Sequence, residues 1–256
     1  MICASAIAHA ATSPLSDQIE EALKSANPEY KGGGTYRMRD GKLTAISLMK
    51  APGLRDLSPL KKFPISTVGS VVLYNSRNVH DLSPLESCRL SSLNIERCIG
   101  ITNLAPLKGM PLRFLRMYAC PGIASLEPLK GAPLRDLDLG LNPIIDDLSP
   151  LQDMKLHDLR IDNCPRIKDI SVIRGMPLKF LSLFGCPGIQ DYSPLQGLEL
   201  QTLYFSPHLL SDREIAIVRN MKSLRKIGTS WKDYRKKMSP GDFWKKYDAG
   251  DYRKAR

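Results

Sequence analysis

The sequence predicts an α/β solenoid: a horseshoe with a parallel β-sheet on its concave face, short 3₁₀ or turn segments on its convex face and a helical cap at each end. Three observations lead there. An apolar pattern returns every 22 residues, at Val68, Leu90, Leu112, Leu134, Leu156, Leu178 and Leu200. Each unit reads L-x-x-L-x-L-x-x-C-x-x-I-x-x-L-x-x-L, as in Leu90, Leu93, Ile95, Cys98, Ile101, Leu104 and Leu107, so one unit alone cannot bury its apolar face. Both ends of the array carry amphipathic segments that break the rhythm and can close the open core.

The elements follow in order. Residues 1–12 form a lead: Ile2 to Ala8 and then Ala8-His9-Ala10 match the apolar segment and small-residue cleavage site of a secretory leader. No Lys or Arg precedes Lys24, which leaves a disordered alanine-rich lead as the other reading; export, periplasmic or secreted, is the expectation over a cytoplasmic location. Residues 13–42 form an N-terminal cap. Ser13-Pro14, Ile19, Ala22 and Leu23 indicate an N-capped helix stopped by Asn27-Pro28. A Gly32-Gly33-Gly34 loop leads to Tyr36 and Met38, the turn Asp40-Gly41, and an apolar strand at Leu43, Ile46 and Leu48, which together read as a hairpin.

Residues 43–208 are the array. Leu43 opens the first unit, which runs on through Leu54, Leu57 and Leu60, and the extra residues Ile65 to Thr67 are expected to bulge outward. In every regular unit the L-x-x-L-x-L stretch is the strand, and strands about 4.8 Å apart from Val68 to Leu200 line a surface roughly 30 Å long. The convex half carries Asp-Leu-Ser-Pro-Leu at Asp81 to Leu85 and at Asp147 to Leu151, where Ser can cap a short helix and Pro fits its first position. Residues 209–256 form the C-terminal cap: a capping box at Ser211 to Glu214 before Ile215, Ile217, Val218 and Met221, an irregular unit at Leu224 and Ile227, and a basic aromatic tail. There Trp231, Tyr234, Phe243, Trp244, Tyr247 and Tyr252 are expected to fold over the last coil, because exposed aromatics are costly and a solenoid end needs a cover.

The composition, 43% hydrophobic and 25% charged, is ordinary, and no apolar run approaches the ~20 residues that span a bilayer, so no transmembrane segment is expected. The net charge of +11 invites an anionic partner. Much of that surplus lies beyond Trp231, where nine basic residues face four aspartates. A solvated basic terminus accounts for it, so no specific nucleic acid is implied; anionic-polymer binding through the tail is a secondary reading. Catalysis needs converging groups, yet His9, His80, His157 and His208 are scattered, with no nucleophile-elbow, zinc-ligand or phosphate-loop pattern beside them. No catalytic residue, metal or cofactor is expected.

Cys98, Cys120, Cys164 and Cys186 fall at one repeat position, filled by Ser76, Asn142 and His208 in other units. A shared position gives a straight stack along the solenoid rather than a tetrahedron, so these residues are read as a ladder that satisfies loop backbone groups. Cys3 and Cys88 lie outside it.

The outward positions between the leucines are free of core duty. In the middle coils they are Arg113, Arg116, Arg135, Asp136, Asp138, Asp158, Arg160 and Asp162, with Arg116, Asp138 and Arg160 in one row. Phe114 and Tyr118 flank them on one side, Phe180, Phe184 and Tyr204 on the other. Rigid aromatics beside Arg typify binding hot spots. The competing reading is a self-satisfied ladder of ion pairs between strands. The partner-binding set is therefore Arg113, Phe114, Arg116, Tyr118, Asp138, Arg160, Asp162, Phe180, Phe184 and Tyr204, presented to a protein or peptide by a chain expected to be monomeric.

Residues 43–229 resemble bacterial leucine-rich repeats of the 22-residue class and are similar to internalins in repeat length and in the Leu-Ser-Pro-Leu segment. They depart in placing Ile101, Ile123, Ile167 and Ile189 three residues after the ladder Cys, as cysteine-containing repeats do. The phrases Leu104 to Leu112 and Phe243 to Tyr252 look like repeat regions that accompany some bacterial serine/threonine protein kinases. The resemblance implies ligand or protein binding, or an accessory sensor segment of such a kinase system. The Gly-rich loop with its Lys, H-R-D and D-F-G are all missing from this sequence.

Overall fold

The computed structural model describes residues 14–230, Asp233 and residues 238–252. Helix α1 spans Leu15–Ala26 and buries Ile19 and Leu23. Pro14 occupies its N-cap without a side-chain bond, and the proposed cap Ser13 lies outside the described residues, as does the lead. Strands β1 (Thr35–Arg39) and β2 (Lys42–Ser47) form the expected antiparallel hairpin. Its Asp40-Gly41 turn holds both residues at positive φ, 50° and 73°, as a two-residue hairpin turn requires.

From β2 onward all pairing is parallel. Strands β3 (Ser70–Val72), β4 (Ser92–Asn94), β5 (Phe114–Arg116), β6 (Asp136–Asp138), β7 (Asp158–Arg160), β8 (Phe180–Ser182), β9 (Thr202–Tyr204) and β10 (Lys226–Gly228) stand in sequence order in one sheet with the hairpin. The register carries each leucine onto the next, Leu93 to Leu115, Leu137, Leu159, Leu181 and Leu203, and these side chains are at most 1% exposed. At about 25 cal/mol per Å² of apolar area, this continuous core supplies the cohesion that no single coil has.

Short 3₁₀ turns, for example Ser83–Leu85, Ala105–Leu107 and Ser149–Leu151, return the chain on the other side. Their capping differs from expectation. The N-cap position is the preceding Leu, and the side chain that caps is the Asp before it: Asp81 Oδ1 accepts from Ser83 N at 2.8 Å while Ser83 Oγ donates to Asp81 Oδ2. Asp56, Asp147, Asp169 and Asp191 repeat this arrangement. Serine is thus the recipient of the cap. The extra residues Ile65–Thr67 also depart: they make a 3₁₀ turn with Ile65 only 2% exposed, because an apolar side chain there gains more from the core than from a solvated bulge.

The ladder is built as a stack of side-chain bonds to the preceding coil. Ser76 Oγ donates to Leu48 O, and Cys98, Cys120, Cys164 and Cys186 donate through Sγ to Leu73, Ile95, Leu139 and Ile161 O at 2.9–3.2 Å. Asn142 Nδ2 donates to Met117 O at 2.8 Å, and its Oδ1 accepts from Cys120 N. All four stack cysteines and Cys88 are free thiols. The expectation of His208 fails. That residue is exposed on the turn Pro207–Leu209, and buried Ser206 bonds the preceding coil by accepting from Gly185 N, since the coil ends in a turn too tight to direct an imidazole inward.

At the N-terminal end, Glu20 accepts from Gly33 N at 2.6 Å, Gly34 N at 3.2 Å and the hydroxyls of Tyr30 and Tyr36, so the glycine loop holds an anion supplied by the chain itself. Asn27 joins the cap to the first coil, donating to Asp56 O and accepting from Arg55 N and Asp56 N. At the other end, α2 (Asp212–Arg219) and α3 (Pro240–Asp248) close the core. The capping box is incomplete: Ser211 Oγ donates to the Glu214 carboxylate rather than accepting from the helix backbone. Helix α3 has the cap that sequence reading overlooked, Ser239 Oγ accepting from Asp242 N, with Pro240 at its start. Phe243 is fully buried, its ring 5.7 Å from Phe205 and stacked 4.9 Å from Tyr252. The described part of the aromatic tail therefore covers the last coil; Trp231 and Tyr234 lie outside the described residues.

Candidate functional site

Because strand side chains alternate, the positions between core leucines project from the sheet in straight rows. The first row runs Ser92, Phe114, Asp136, Asp158, Phe180 and Thr202; the second runs Asn94, Arg116, Asp138, Arg160, Ser182 and Tyr204. A third row, two residues further along each coil, holds Glu96, Tyr118, Gly140, Asp162 and Phe184. The backbone of this row is bonded coil to coil through Arg97, Ala119, Leu141 and Asn163 N–H groups at 2.8–2.9 Å.

The second and third rows, with Phe180 from the first, enclose a concavity of about 440 Å³ lined by Arg116, Tyr118, Asp138, Arg160, Asp162, Phe180, Ser182, Phe184 and Tyr204. Eight of the ten expected residues meet there. Arg113 and Phe114 do not: both are exposed and stand outside the lining set. Ser182, Gly140 and Glu96 were missed by sequence reading. Glu96 and Gly140 stand at the third outward position of their units, two residues beyond the charged row, and Ser182 stands in the charged row itself, next to Arg160.

Interactions inside the concavity are specific. Arg160 Nη1 lies 3.6 Å from Asp138 Oδ2, and its guanidinium sits 4.5 Å from the centre of the Phe180 ring. Phe180 in turn meets Tyr204 at 5.8 Å between ring centres. Arg116 pairs with Glu96, at 3.9 Å, rather than with Asp138 beside it. Asp138 also accepts from Gly140 N at 3.1 Å. Gly140 is needed for space: a Cβ there would fall 2.8 Å from Tyr118 Cδ2 and 3.0 Å from Asp162 Oδ2, so the ring and the carboxylate both lean over it.

Burial shapes the charges. Desolvation raises the Asp138 carboxyl above its ordinary value, opposed by the Gly140 amide and by Arg160 and Arg116. Asp162 is pushed up to about 6, by burial first and by the neighbouring Asp138 charge second, with Ser182, its own backbone and Arg160 only partly offsetting them. Glu96 rises for the same leading reason, and Asp138 adds to it. Chemically the site offers two guanidinium groups, three carboxylates and four aromatic rings. Among the described residues no group of three or more His, Cys, Asp and Glu side chains is arranged to hold a metal ion.

A search of solved structures finds an internalin (InlF) from Listeria monocytogenes, with a TM-score of 0.56 and 18% sequence identity, covering 86% of this chain and 72% of the internalin chain. The chain has a leucine-rich-repeat fold. No protein-family model matches the sequence, and neither does any curated protein. The likeness of this leucine-rich-repeat solenoid to the internalin is thus one of architecture: stacked coils, one open sheet and 3₁₀ turns between strands. Among its described residues no helix is long and apolar enough to cross a membrane.

Proposed function

We propose that this chain is a non-catalytic scaffold that captures a protein or peptide on its strand face, centred on Arg116, Asp138 and Arg160. The observation that carries the reading is the convergence of aromatic and charged side chains into one concavity on an otherwise regular sheet. Rigid aromatics beside arginine give contact area at low entropic cost, and charged groups held by neighbours give register. A ladder of ion pairs serving stability alone has no need of Tyr118 and Phe184 beside a buried carboxylate. Repeat scaffolds also suit such work, because coils stacked on one core leave a whole face free for recognition.

Photocrosslinking tests this directly. p-Benzoylphenylalanine replacing Phe114, which is 47% exposed on the strand side, is compared with the same group replacing Lys130 after the turn Glu127–Leu129 on the opposite side. Partners captured from native lysate and extracellular fractions are expected to cross-link at position 114 and not at 130. Adducts confined to position 130 would refute the strand-face reading.

A further inference from the structure

The charges of the concavity do not balance among themselves. Arg116 is engaged by Glu96 and Arg160 by Asp138, which leaves Asp162 as the remaining carboxylate. Among the described residues no Lys, Arg or His nitrogen lies within ion-pair distance of its oxygens, although the residue is only 7% exposed. Around it stand Asp138 and Arg160 from β6 and β7, Tyr118 across Gly140, and Ser182 and Phe184 from the next coil. A buried carboxylate with Ser182 as its neutral hydrogen-bond partner is costly unless a cation arrives to complete it.

The surroundings select the kind of cation. Over Gly140 the Tyr118 ring and the Asp162 carboxylate close on the bare backbone, which sets an aromatic ring beside the carboxylate in the lining of the concavity. Aromatic rings beside a carboxylate suit an organic cation with an apolar stem, by ring attraction, charge and methylene packing together. An acidic side chain would instead meet Asp138 and Asp162 and would have to displace Glu96 or Asp138 from the arginines.

We propose that the concavity takes a lysine or arginine side chain of the protein partner, its charged end on Asp162 and its stem against Tyr118 and Phe184. This deepens, and rests on, the reading of the strand face as the partner-binding surface.

The test is selection of a random-peptide display library on the full chain, followed by cross-linking of the selected peptides through p-benzoylphenylalanine at position 114 or 130. Peptides that cross-link at 114 are expected to share a Lys or Arg whose change to Gln weakens binding roughly tenfold to a hundredfold, the range for a charged hydrogen-bonded pair. Asp162→Asn, which preserves the side-chain shape, is expected to cause a similar loss while remaining folded by circular dichroism. Peptides that cross-link at 114 with no required basic residue, or that bind Asp162→Asn equally well, would overturn this inference and leave the strand-face reading standing. Peptides that cross-link only at 130, or no binders at all, would overturn both.

Discussion

Replacing Asp162 by Asn should make the protein more stable, by an amount that depends on pH in a defined way. The folded state moves this carboxyl from 3.8 to about 6, while the unfolded chain returns it to an ordinary aspartate. Between those values the folded state binds the proton and the unfolded state does not, so stability falls as pH rises through the window. The contribution of the protonated acid is complete below about pH 4 and lost above about pH 6. At about 1.4 kcal/mol per tenfold step, the ionised form costs roughly 3 kcal/mol at pH 7.5. Asparagine has nearly the same shape and no charge. Urea unfolding of both proteins from pH 4 to pH 8 should therefore give a stability difference near zero at pH 4 that grows to roughly 3 kcal/mol in favour of Asp162→Asn at pH 7.5. Glu96, Asp138 and Asp158 are also raised by burial, so the wild-type slope is not due to Asp162 alone, and the difference between the two proteins isolates it. A difference that does not change with pH, or a variant less stable at pH 7.5, would refute the reasoning.

Three further outcomes follow from the same structure. Phe243→Ala removes a fully buried ring packed on Phe205, Trp244 and Tyr252 and should cost about 3–5 kcal/mol in urea unfolding, with faster amide exchange concentrated in β10. Ala119 is held at φ 56° and carries only a methyl, so Ala119→Gly relieves a left-handed conformation with little loss of burial; a gain of about 0.5–1 kcal/mol, seen as a raised Tm, is expected. The thiols of Cys88 and Cys98 are pushed up to about 11 by burial, and that of Cys120 to about 12. Iodoacetamide at pH 8 should leave them unmodified in the native protein and label them rapidly in urea, read by intact mass.

The repeat was plain in the sequence because every coil solves one packing problem with one set of residues. A leucine that must meet the leucine of the next coil recurs at a fixed interval, and Leu93 through Leu203 do so in register. The ladder was equally legible, since Cys, Ser and Asn all offer a short donor to a buried carbonyl. Details set by competition were not. Whether Asp81 or Ser83 caps a turn depends on which side chain reaches the backbone first, and whether Ile65 turns inward depends on space in the first coil. In the candidate site, rows of residues followed from the alternation of strands, but the pairing of Arg116 with Glu96 rather than Asp138 did not. Asp138 is already engaged on both oxygens, by the Gly140 amide and by Arg160.

The array is locally consistent almost everywhere, and this gives its exceptions their meaning. Strand residues pack, ladder residues are bonded, and among the described residues no buried side-chain nitrogen or oxygen lacks a hydrogen-bond partner. Against that background one coil contains a choice that stability does not favour: a carboxylate at position 162 whose burial opposes its charge. Gly140 supplies the space that this carboxylate and the Tyr118 ring occupy. The carboxylate becomes useful if an outside group supplies positive charge, for then the destabilised anion is the partner it meets. A chain under demand for stability alone would place a neutral residue at 162, and the next coil shows that the fold accepts Phe184 in that same row.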